Sequence, residues 1–165
     1  MKILGIDPGT QITGYGMVEK NGPGITVLEY GSIKTNKNQS FPQRLYAIHE
    51  KIMEIISLRK PDHMAVEEVF YSKNVKAAIK IGEARGIVLL CAASRGIPIA
   101  EYSAKVVKKS VVGNGNAHKG QVQEMVKIIL GLPEIPKPDD ASDALAIAIC
   151  HSHRLKHGWQ AFPLP

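Results

Sequence analysis

The sequence predicts an α/β fold built on a mixed five-stranded sheet, an antiparallel meander of three strands plus two parallel strands, flanked by helices. Two observations predict it. The N-terminal quarter holds three β-rich runs, KILGI, ITGYGMVE and ITVLEYGSIKT, parted only by the turn sequences DPGT and KNGPG. From Phe41 the apolar period becomes helical, and from there helix and strand alternate before the chain closes on helices.

The later elements follow in order. Leu45, Ile48, Ile52, Ile55 and Ile56 recur at helical spacing across Phe41–Arg59, and Pro61 closes that helix. HMAVEEVF is the fourth strand, a second helix runs from about Asn74 to Ser94, and IPIAEYS is the fifth strand. A basic segment, AKVVKKSVV, leads through the loop GNGNAHKG to the helix QVQEMVKIILG. A Pro-rich loop, PEIPKPDD, precedes the last helix, ASDALAIAICHSH. This order makes the first strand central and places Asp7 at its carboxyl end.

At 165 residues the chain fits one domain, read as 1–158, with 159–165 expected as a flexible tail. Lys and Arg number 21 against 15 Asp and Glu, a formal charge of +6 that favours a polyanionic partner, nucleic acid or an acidic membrane surface. Cys91 and Cys150 both sit in apolar runs, and neither a signal-peptide core nor an 18-residue apolar span is present. The protein therefore reads as soluble, reduced and cytoplasmic, with no membrane partner.

Three acidic places stand out: Asp7; Glu67 and Glu68 in the fourth strand; and Asp139, Asp140 and Asp143 at the start of the last helix. The fourth strand should run parallel to the first through its crossover helix, so one of its two glutamates lies beside Asp7. Asp140 and Asp143, three apart, share a helix face. Like charges so gathered raise one another's pKa unless a cation lies between them. Hard oxygen ligands without Cys or ordered His point to Mg²⁺ or Mn²⁺. Each residue also has a purely structural use: Asp7 in holding the Pro-Gly turn, Asp140 and Asp143 in capping a helix, and the glutamates as surface or ion-paired groups. Their convergence on one edge favours the metal reading.

The ending GIDPGT is similar to the phosphate hairpin of actin-like ATPases, but those are two-lobed and much longer, and a second phosphate hairpin is missing here. A more specific resemblance runs along nearly the whole chain. LGIDPGTQITGYG, AVEEVFYSKN, VVGNGNAHKGQVQ and DDASDALAIAICH resemble, in the same order, the RuvC family of crossover junction endodeoxyribonucleases. That resemblance implies an RNase H-like fold, a homodimer and Mg²⁺-dependent cleavage of two opposed strands of a four-way DNA junction, with two ions per subunit. It assigns the catalytic and metal-binding carboxylates to Asp7, Glu67, Asp140 and Asp143, and implies the branch-migration proteins RuvA and RuvB as partners. An RNase H-type hydrolase of RNA–DNA hybrids and a non-catalytic nucleic-acid-binding module are the alternatives.

The densest basic cluster is Lys105, Lys108 and Lys109 with His118 and Lys119, and the resemblance singles out Lys108 and Lys119 beside the cleaved phosphate. Lys73, Lys76 and Lys80 share a helix face and are expected to track a junction arm. Phe70 reads on its own as a core ring or a stacking ring, and the resemblance implies that it stacks on bases opened at the crossover, with Tyr71 unassigned. His153 and His157 have zinc-like spacing but lack a third ligand, and read as charges favouring the negative end of a helix.

Overall fold

The computed structural model describes residues 1–68 and 74–155. Phe70, Tyr71, Lys73, His157 and the expected tail lie outside the described residues. The elements are β1 (Lys2–Asp7), β2 (Ile12–Asn21), β3 (Gly24–Lys34), α1 (Phe41–Arg59), β4 (His63–Glu67), α2 (Val75–Ala93), β5 (Ile99–Tyr102), α3 (Ala104–Val112), α4 (Lys119–Leu130) and α5 (Asp139–Arg154). The five strands form one sheet in the order β3-β2-β1-β4-β5. β1 pairs antiparallel with β2 and parallel with β4, and β5 runs parallel to β4. The expected topology and central first strand are therefore present.

Local sequence explains where the elements begin and end. The Gln43 side chain accepts from Ser40 N at 2.9 Å, and the αL residue Lys60 ends α1 with its N–H on Ile56 O at 2.8 Å. The Asn74 side chain accepts from Ala77 N at 3.1 Å and starts α2. Four elements differ from the sequence reading. The segment AKVVKKSVV is helical, capped by Ser103 before it and by Gly113 in the αL conformation after it. α4 begins at Lys119, because Gln121 accepts from His118 N at 2.9 Å and recruits two residues assigned to the loop. α5 begins at Asp139, and β4 stops at Glu67 short of the run expected to continue through Phe70.

Strand alternation sorts side chains into two cores. Leu4, Ile6, Met17, Met64 and Val66 pack against α1 and α2 with Ile48, Ile52, Ala84 and Val88. Ile3, Val18, Ala65, Ala100 and Tyr102 pack on the opposite face with Leu145, Ile147 and Ile149 of α5, beneath α3 and α4. α5 lies between sheet and outer helices, so small and branched apolar residues cover nearly all of it: its buried positions run unbroken from Ala144 to Ser152.

β1 enters this second layer at Gly5, and the backbones there touch. A Cβ built on Gly5 would lie 2.1 Å from Ala144 O and 2.8 Å from Ala148 N, so only glycine lets α5 settle on the central strand. One strand over, a Cβ on Gly14 would lie 2.0 Å from Asp140 O. The first turn of α5 is thus pressed against β2 directly beside Asp7, whose register partner is Gly14.

Candidate active site

The parity of β1 decides where Asp7 points. Leu4 and Ile6 face α1 and α2, so Gly5 and Asp7 face α5. The β1–β4 pairing ends at Ile6 with Val66, which makes Asp7 and Glu67 the next residues on neighbouring parallel strands. Val66 lies in the α1–α2 core, so Glu67 faces α5 with Asp7. This register resolves what the sequence left open between the two glutamates. Glu68 follows the end of β4, is exposed, and donates its backbone N–H to Tyr102 O at 2.9 Å.

Asp140 and Asp143 close the group from above, on the first turns of α5. The Asp7 carboxyl is pushed up to about 8, first by burial, then by Glu67 and Asp143, by its hydrogen bond to Glu67, and by Asp140. Glu67 is raised by burial and Asp143, and held back by the proton it receives from Asp7 and by the Lys108 and Lys119 charges. All four carboxylates expected from the sequence therefore feel one another in one place.

Asp139, the third acidic residue of the run, is turned elsewhere. Its carboxylate pairs with Lys137 at 3.0 Å and, at 3.9 Å, with Lys119; Lys137 first and Lys119 after it hold its pKa down. Lys119 stands closer to Asp143, at 2.8 Å. Its ammonium pKa is raised, chiefly by that hydrogen bond.

A cleft of about 210 Å³ opens beside the carboxylates, lined by Glu67, Lys108, Lys119 and Asp143 over an apolar floor of Val107, Val122, Ala146 and Ile147. Lys108 reaches it from α3 and Lys119 from the first turn of α4. A somewhat larger hollow, about 260 Å³, lies on the other side of the sheet around Tyr15, Glu29 and Arg59, remote from these carboxylates. Lys76 and Lys80 are exposed on α2, and Lys80 Nζ sits 5.5 Å from the centroid of the Phe41 ring.

The donor set suits a hard divalent cation. It consists of carboxylate oxygens alone, and the Asp7 carboxyl, raised by burial first and by its acidic neighbours after it, stands where a cation would favour the charged form. Among the described residues no three Asp, Glu, His or Cys side chains stand already assembled as a ligand cage. The hydrogen bond between Asp7 and Glu67 and the Lys119–Asp143 ion pair occupy the oxygens instead.

Two features of this site went unread in the sequence. The glycines of KILGI and ITGYG lie inside the strands expected from the sequence, and glycine inside a strand is a signal of close backbone approach. The turn after Asp7 is also held from outside by α1, through Arg44, which carried no motif.

Comparison with known proteins identifies the family. A family profile described as crossover junction endodeoxyribonuclease RuvC matches residues 3–151. The crossover junction endodeoxyribonuclease RuvC of Halothermothrix orenii is 51% identical over 161 residues, covering 96% of this chain and 98% of its own. That of Pelotomaculum thermopropionicum is 50% identical over 153 residues, 93% of each chain. The structure of T. thermophilus RuvC in complex with a Holliday junction substrate superposes with a TM-score of 0.92 at 37% identity, covering 99% of both chains. The sheet order, the carboxylate edge and these matches together place the chain in the RuvC family of crossover junction endodeoxyribonucleases.

Proposed function

We propose that the chain, a Holliday junction resolvase, cuts two opposed strands of a four-way DNA junction as a homodimer, each subunit binding two Mg²⁺ ions, or Mn²⁺ in their place. The observation that carries the site assignment is the Asp7 carboxyl, raised to about 8 by burial and three other carboxylates, and hydrogen-bonded to Glu67, which with Asp143 lines an open cleft. Asp7, Glu67, Asp140 and Asp143 are the proposed ligands and catalytic residues. When bound, the metal supplies a water of lowered pKa and charge neutralisation at the phosphate.

The chain's own residues do the rest. Asp7 and Glu67, rooted in adjacent strands, fix two ligand directions; Asp140 and Asp143 complete them from the helix packed over Gly14. Lys108 and Lys119 bind the phosphate at the cleft, and Lys119 exchanges Asp143 for the substrate anion. Lys73, Lys76 and Lys80 contact a junction arm, and Phe70 stacks on an opened base. The junction has near two-fold symmetry and needs two cuts, whereas the described residues of one subunit hold one such edge, so a two-fold dimer matches the substrate. α2 offers apolar surface for such a pairing: Ala84 and Val88 are buried within the subunit, while Val75, Ile79 and Leu90 are exposed. RuvA and RuvB are the proposed branch-migration partners, and the cytoplasm the proposed location; no helix among the described residues is long and apolar enough to cross a membrane.

The test mixes wild-type chains with Asp7→Asn chains and isolates the heterodimer. It should nick one strand of a plasmid-borne junction and leave it unresolved, while the wild-type homodimer cuts the junction and spares an RNA–DNA hybrid in Mg²⁺. Full resolution by the heterodimer would overturn the paired-site reading. Preference for the hybrid would instead favour the RNase H-type alternative.

A further inference from the structure

The turn that follows Asp7 is fastened at two points. From inside the sheet, the fully buried Thr13 hydroxyl donates to Gly9 O at 2.7 Å and accepts from Gly9 N at 3.3 Å. From outside, Thr10 O accepts from Arg44 Nη2 and from Thr35 Oγ1, the latter at 2.8 Å. Arg44 Nε donates to Thr35 Oγ1 at 3.0 Å, and Thr35 N donates to Gln11 O at 3.0 Å. The guanidinium also lies 5.9 Å from the centroid of the Phe41 ring, which fixes its plane against the first turn of α1. One side chain thus joins α1, the end of β3 and the turn, and Asp7 is the last strand residue before that turn.

We infer that Arg44, with Thr35, is a positioning residue that sets the Asp7 carboxyl for metal binding. The inference rests on the proposal that Asp7 is a metal ligand. A planar fork can hold Thr10 O and Thr35 Oγ1 together, whereas a lysine ammonium at the same place satisfies one of them well and the other poorly. Removing a group bonded directly to a metal ligand changes metal affinity or activity by about 10–100-fold; Arg44 acts on Asp7 through the turn, which puts its effect at the lower end of that range. The half-buried Arg44 has no carboxylate partner among the hydrogen bonds and ion pairs of the described residues, so its charge is spent on carbonyl and hydroxyl oxygens of the turn.

The experiment measures Mn²⁺ binding to the free protein by electron paramagnetic resonance, together with single-turnover cleavage and junction affinity in Ca²⁺. The proteins are wild type, Asp7→Asn, Arg44→Gln, Arg44→Lys and Thr35→Val. Arg44→Gln should weaken Mn²⁺ binding about tenfold and slow cleavage of the prebound junction, with junction affinity unchanged. Arg44→Lys should recover part of both losses, and Thr35→Val should move both in the same direction by less. If Asp7→Asn abolishes Mn²⁺ binding and Arg44→Gln binds as wild type does, the inference fails while the site stands. If Asp7→Asn itself binds Mn²⁺ normally, the ligand assignment beneath it is wrong. A fall in junction affinity with Mn²⁺ binding intact would make Arg44 a phosphate contact and overturn the positioning role. Should Arg44→Gln fail to fold, Thr35→Val and Arg44→Lys decide the outcome alone.

Discussion

Replacing Gly5 by alanine isolates the contact that brings α5 onto the central strand. The added Cβ would lie 2.1 Å from Ala144 O, where ordinary contact begins at 3.4 Å, so the helix backbone must retreat by about 1.3 Å. Backbone cannot swing aside as a flexible side chain does, so the cost falls at the upper end of the overpacking range, about 3 kcal/mol. For a chain of this size that lowers the melting temperature by about 6–12 °C. The same retreat carries Asp140 and Asp143, which immediately precede the contact on α5, away from Asp7 and Glu67. Misplacing reacting groups by about 1 Å costs on the order of 100-fold in rate, so single-turnover cleavage of a prebound junction should fall by about that factor. Junction affinity, resting on Lys108, Lys119 and other basic residues, should hold. The assay is a cleavage time course at a temperature where the variant is folded by circular dichroism. A variant with the wild-type rate and unchanged melting would refute the idea that Gly5 sets the height of α5.

Two further outcomes follow from the same coordinates. Glu67→Gln should abolish cleavage while Glu68→Gln reduces it little, because only Glu67 shares the α5 face with Asp7; single-turnover rates check this, and a reversed order would reassign the strand face. His151 is fully buried between Tyr102 OH at 2.7 Å and His63 Nδ1 at 2.9 Å, and burial, then the charges of His63 and Lys20, hold its pKa down to about 3 against 6.5 in an exposed histidine. The unfolded chain binds the proton first as pH falls, so this group's contribution is complete above about pH 6.5 and is lost at about 1.4 kcal/mol per unit below it. Asp7, raised in the folded state, acts in the opposite sense, with stability lost as pH rises through its folded value. Urea unfolding of wild type and His151→Gln between pH 4.5 and 7 separates them: the stability difference between the two proteins should shrink as pH falls, and a constant difference would show that His151 does not titrate on unfolding.

Much of this was legible in the sequence because it lies in local pattern. The period change at Phe41, the turn sequences of the meander and the apolar run ending in Asp7 each report on their own element, and together they fix the strand order around β1. Asp140 and Asp143 were placed on a shared face by spacing alone. What could not be read depends on register and on close approach. Whether Glu67 or Glu68 faces Asp7 is set by the pairing of Ile6 with Val66, and one residue of slip would exchange them. The helix at AKVVKKSVV was hidden because its β-branched valines favour strands, and tertiary packing of Val107 and Val111 overrides that preference. Arg44 has no sequence signal at all, since its partners Thr10 and Thr35 meet it only once β3 and α1 are in place.

The central sheet divides the molecule into a side that tolerates redesign and a side that does not. On the α1–α2 side, contacts are made by whole side chains such as Ile48, Ile52, Met64 and Val88, whose volumes can be exchanged among neighbours at little cost. On the α5 side, side chains such as Ile3, Leu145 and Ile149 also pack, but at Gly5 and Gly14 the strands meet the helix through its peptide groups, and no side chain at those two points can be trimmed to compensate for a change. A hardier variant of this nuclease should therefore be sought by substituting the apolar core of the first side, Arg44 apart, and leaving Gly5 and Gly14 as they are. Natural drift, too, has room to accumulate in the apolar core of the first side without retuning the chemistry on the second.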